Sequence, residues 1–96
     1  MNELEQLRSQ VAELREATRV MMAITACAIA TATDSSDAAK RLAFGLAEAE
    51  RAQPRSEAFQ SLSTTVLHNL CTHAMAQHPG DLDLHQISLR TRPSPT

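Results

Sequence analysis

Leu4, Leu7, Val11, Leu14, Thr18, Met21, Thr25 and Ala28 follow one another at alternating spacings of three and four. That is the heptad repeat of a coiled coil, with Leu4 at position a and Leu7 at position d. Residues 3–32 contain neither Gly nor Pro and are rich in Leu, Glu, Arg, Gln, Ala and Met, so one long helix is predicted there. At 1.5 Å per residue it reaches about 45 Å, whereas a compact chain of this length has a radius of gyration of about 12–13 Å. Part of the helix must therefore project, unless the chain bends near Thr18. Up to Arg19 the positions outside the seam are charged or polar, with Glu3 at g and Arg8 at the next e, a pair that can bridge two parallel copies. From Val20 onward Met22, Ala23, Ile24, Cys27 and Ile29 make the outer positions apolar as well, which predicts a second half wrapped on every side.

The cluster Asp34-Ser35-Ser36-Asp37 reads as a helix stop followed by a new N-cap. A second helix is expected over about 37–52, with Ala38, Ala39, Leu42, Ala43, Leu46 and Ala49 on one arc and Gly45 within it. Phe44 falls off that arc, as a rim contact or as part of an intermolecular surface. Pro54 and Ser56 mark the next break, and a third helix is expected over about 56–77, ended by His78-Pro79-Gly80. Its stripe is Phe59, Leu62, Val66, Leu70 and Ala74, widened by Leu67, Cys71 and Met75. Beyond it, polar and apolar residues alternate through Asp81-Leu82-Asp83-Leu84 and again at Ile87 and Leu89. This predicts an extended arm, with a short fourth helix from Leu82 to Leu89 as the alternative, followed by a free tail from Arg90. The expected fold is all-α: a long N-terminal coiled-coil-like helix plus a helical hairpin, one domain over residues 1–80, with an extended C-terminal arm and flexible tail over 81–96.

Composition bears on how such a chain becomes stable. Leu, Ile, Val and Phe number 19 against 16 alanines among 96 residues, so little large apolar surface is on offer to offset about 1–2 kcal/mol of backbone entropy per ordered residue. Small chains commonly meet that deficit by oligomerising. The net charge of −2 gives no general attraction to a phosphate backbone, and the basic residues form no stripe with interleaved aromatics, so nucleic acid is a poor partner. Eight of the nine basic residues are Arg, a usage that with the abundant Ala fits a GC-rich bacterial or phage genome. Ile24-Thr25-Ala26-Cys27 resembles a lipoprotein cleavage box, but Glu3, Glu5, Glu13 and Glu16 deny it the net-positive flank of an export signal. The apolar run from Val20 to Ala30 is too short for a bilayer, and a cytoplasmic location is expected. Cys27 and Cys71 both lie in apolar helical stretches and read as reduced core thiols rather than a disulfide framework.

Candidate chemistry is sparse. His68, Cys71, His73, His78 and His85 are the nearest thing to a ligand cluster, yet His73 lies about 140° around the helix from His68, and four convergent ligands are not on offer. Ser61, Ser63, Thr64 and Thr65 sit mid-helix, away from any strained turn or oxyanion donors. Gly45 and Gly80 make no phosphate loop. No catalytic residue, metal ligand or cofactor site is assigned. The expectation is a non-enzymatic oligomeric interaction module, an adaptor, regulator or inhibitor. It would pair through Leu4, Leu7, Val11, Leu14, Thr18 and Met21 and present Phe44, Leu82, Leu84, Ile87 and Leu89 to another protein. Two alternatives stand beside it. In one, clefts lined by Arg15, Arg19, Arg41 and Arg51 hold a small anionic ligand or nucleotide between subunits. In the other, the chain is a structural subunit whose first helix pairs with a different chain, Thr18 and Thr25 weakening self-association.

Overall fold

The computed structural model describes residues 2–91, and among these it contains four helices and no strand. Each of the first three begins at a side chain that accepts an otherwise orphaned backbone N–H. Asn2 accepts from Glu5 N at 2.8 Å and opens α1 (Glu3–Thr31). Asp34 accepts from Asp37 N at 2.8 Å and opens α2 (Ser35–Ala52). Ser56 accepts from Phe59 N at 3.2 Å and opens α3 (Glu57–Gln77), which His78 closes by donating its N–H to the Ala74 carbonyl. These bounds agree with the sequence reading to within about two residues.

Residues 81–91 overturn the expected extended arm. Leu82–Thr91 is a fourth helix, α4. The alternation over 81–84 was too short to fix a period, and Asp81 decides the outcome. One of its carboxylate oxygens accepts from the N–H groups of Asp83 and Leu84, starting the helix, while the other accepts from Lys40 Nζ at 2.8 Å and from the Ser36 hydroxyl. Leu84, Ile87 and Thr91, at helical spacing, then turn inward. Leu84, expected on a partner surface, is fully buried. Of the tail read from Arg90, residues 92–96 lie outside the described ones.

Two linked cores result. Ala17, Met21, Ala28, Leu42, Leu46, Phe59 and Leu67 close the first between α1, α2 and α3. Ala39, Cys71, Ala74 and Leu84 close the second, where α4 lies on α2 and α3. The alanines let the helices approach closely, and Gly45 lets α2 come closest to α1: a Cβ at Gly45 would stand 2.9 Å from Ile24 Cγ2. The second half of α1 is not wrapped on every side, because Met22, Ala23, Ala26, Cys27 and Ile29 are exposed. The hairpin covers one face only. Among the described residues none buries any of residues 2–16, every one of which is exposed, and the molecule measures 52 × 33 × 21 Å with a radius of gyration of 14.9 Å.

Two outcomes follow. Gly to Ala in a helix interior ordinarily stabilises by about 0.5–1 kcal/mol, but Gly45→Ala forces a methyl onto a β-branched neighbour that cannot swing away. Thermal melting by circular dichroism is expected to show a net loss of about 1–2 kcal/mol. Asp81 is held well below the usual carboxylate range, by the hydrogen bond from Lys40 first and that from Ser36 second. A depressed folded pKa means its contribution is complete above the unfolded value and is lost as pH falls toward the folded one. The melting temperature is therefore expected to decline below about pH 5. Asp81→Asn should melt lower than the parent at neutral pH and converge with it in acid.

Candidate functional site

The longest feature on the surface runs the length of α1. Leu4, Leu7, Val11 and Leu14 are each about half exposed, Leu7 at 57% and Leu14 at 50%. Met21 does not join them. It is 4% exposed, with its sulfur 3.7 Å from the Ser63 hydroxyl of α3. The reason is geometric: in a straight helix of 3.6 residues per turn a strict heptad seam drifts by about 20° per repeat. Over three repeats the seam swings from solvent toward the chain's own hairpin, so Met21 and Ala28 are buried there.

The exposed apolar stripe takes another course. From Leu14 and Thr18 it passes to Met22, Thr25 and Ile29, by spacings of four, four, three and four. Met22 and Ile29 are among the most exposed large apolar side chains, and Thr25 is half-buried. The doubled spacing of four is a stutter, which cancels the drift and keeps the stripe on one side of the helix. α1 thus carries two apolar faces, centred about 110° apart by the 100° per residue of the helix. One is used internally by Ala17, Val20, Met21, Ile24 and Ala28. The other meets no other element. Counting threes and fours found the stripe as far as Thr18, but only the position of the hairpin separates Met21 from Met22.

The remaining predicted surface residues divide. Phe44 (69% exposed), Leu82 and Leu89 face outward, while Ile87 is half-buried and Leu84 enclosed. Phe44 borders an apolar groove of about 570 Å³ between α1 and α2, floored by Ala23, Ile24, Cys27, Ala28 and Gly45, with Lys40 and Arg41 on its rim. Both rim cations are already met by carboxylates, Lys40 by Asp81 and Asp83, Arg41 by Asp37 at 2.8 Å. Arg19 pairs with Glu16 and Arg51 with Glu48; Arg15 and Arg19 border one shallow groove on α1 with Leu14, Thr18 and Met22, while Arg41 and Arg51 lie on α2.

The histidines do not assemble either. No group of three His, Cys, Asp or Glu side chains stands close enough to hold a metal ion among the described residues. His85 Nε2 lies 3.0 Å from the Pro79 carbonyl oxygen, His73 is exposed, and His68 Nδ1 is buried without a hydrogen-bond partner among the described residues. No described helix is long and apolar enough to cross a membrane. Comparison with protein-family models, curated proteins and solved structures returns no match.

The cysteines part company. Cys71 is enclosed, its thiol 3.1 Å from the Leu84 carbonyl oxygen to which it donates, and burial pushes its pKa up. Cys27, expected in the core, is exposed on the floor of the open groove between α1 and α2. A thiolate-specific reagent at pH 8 should therefore label Cys27 in the native protein and reach Cys71 only after denaturant is added. Equal labelling of both without denaturant would mean that α4 does not seal the second core.

Proposed function

We propose that this chain is a non-enzymatic interaction module that associates with itself through the stripe on α1 and leaves Phe44, Leu82 and Leu89 to meet another macromolecule. One observation carries the reading: residues 2–16 make no part of either core yet hold Leu4, Leu7, Val11 and Leu14 in line. An isolated helix of that length is marginal in water. Its own packing cannot be what maintains it.

Magnitudes favour association over a solvated rod. Covering the exposed half of each of those four side chains is worth about 1 kcal/mol apiece, hence about 8 kcal/mol for a pair. Association costs about 4–15 kcal/mol in lost freedom, so the projecting halves alone come near balance. Met22 and Ile29 supply the further apolar area. An adaptor, regulator or inhibitor role fits a chain that offers a paired rod at one end and a small helical body with outward apolar residues at the other. The anionic-ligand reading stands second, since Arg19, Arg41 and Arg51 are each neutralised by a neighbouring carboxylate.

Light scattering over a hundredfold concentration range tests this. The parent is expected to form a discrete oligomer, and Leu7→Glu with Leu14→Glu to give a monomer whose hairpin still melts cooperatively. A parent that stays monomeric throughout, with the double variant indistinguishable from it, would overturn self-association. α1 would then be a surface for a different chain.

A further inference from the structure

The stripe has direction as well as position, because its two flanks differ in charge. Arg8 and Arg15 line one side, with Arg19 just beyond them, and Glu3 lies on the other. Arg19 is paired with Glu16. Among the described residues neither Arg8 nor Arg15 has a carboxylate within 4.0 Å, and Glu3 has no cation within that distance.

We infer that the occupant of this face is a second copy of the chain, lying parallel and in register along the stripe from Leu4 to Ile29, with Glu3 of each copy beside Arg8 of the other. The inference rests on the self-association reading above. In a parallel pair each g position faces the partner's next e position, so Glu3 meets Arg8 twice by symmetry. An antiparallel pair sets e against e, crowding the arginine flanks against each other in any register that overlaps Leu7 to Thr18. Like charges at that separation are unfavourable by as much as opposite ones are favourable.

Geometry adds to charge. The parallel arrangement sets Met22 and Ile29 against their own counterparts, and the stutter at Thr18 lets the two helices run nearly straight where the hairpins begin. A two-fold axis along the stripe sends the two hairpins to opposite sides, since each leaves α1 about 110° from the stripe.

Disulfide trapping decides the orientation. In a Cys27→Ser background with Cys71 left in the core, Leu4→Cys and Ile29→Cys proteins, one carrying a mass tag, are mixed and equilibrated in a glutathione redox buffer. Same-position dimers, 4 with 4 and 29 with 29, are expected to exceed the mixed 4-with-29 product by about tenfold or more. A dominant mixed product would overturn the parallel arrangement while leaving self-association intact. No product above that of the matching Leu7→Glu, Leu14→Glu control, with a monomeric mass by light scattering, would overturn both. A charge swap checks the contact itself: Glu3→Arg should weaken association about two- to fivefold, and adding Arg8→Glu should restore it. Failure of the second substitution to restore would exclude the Glu3–Arg8 contact.

Discussion

A single helix here must bury two faces, and the angle between them governs the rest of the molecule. With Ala17, Val20, Met21, Ile24 and Ala28 committed to the hairpin, the stripe that ends at Ile29 is left on a side the chain has no element to cover. A wider angle would put the stripe opposite the hairpin; a narrower one would merge it with the core. At about 110° the two surfaces share a helix without sharing side chains, so each can be packed or stripped without directly disturbing the other. The small-residue composition fits this division of labour. Ala38, Ala39, Ala74 and Gly45 let short helices sit close together with few large side chains, which leaves leucines available for the projecting half of α1.

The second core depends on a different kind of interaction. Asp81 is at once the first cap of α4 and the acceptor for Lys40 and Ser36, so the start of α4 and its docking on α2 are one event. Leu84 follows within a turn and drops onto Ala39, Cys71 and Ala74. A partly exposed ion pair such as Lys40–Asp81 is worth little in isolation. This one also fixes where a helix begins, and so which residues of that helix are buried.

Local signals in the sequence carried the first three helices, because Asn, Asp and Ser caps and the Pro54 and Pro79 breaks act within four residues of themselves. The polar stretch at the start of α1 was legible for the same reason. What could not be read were contacts far apart in sequence. Asp81 meets residues more than forty positions away, and without them 81–84 shows only a four-residue alternation. Met21 and Met22 differ by a single step around the helix, and which of them faces solvent follows from where α3 lies. Cys27 was misplaced in the core by the same gap: an apolar run shows that burial is wanted, not which side receives it.

Rigidity is the last consequence of the uncovered first half of α1. The fourteen helical residues from Glu3 to Glu16 hold Asn2 about 22 Å from the start of the packed body at Ala17. A flexible tether of equal length would have much the same mean span, about 21 Å, but would wander around it. The rod removes that spread. Whatever the tip engages and whatever meets Phe44 are held at one separation, so simultaneous engagement is either strongly favoured or forbidden according to whether the two targets match it. A length encoded this way changes only in steps of 1.5 Å per residue, each step rotating the tip by about 100° relative to the body. Insertions or deletions in residues 2–16 would therefore alter orientation far more than reach.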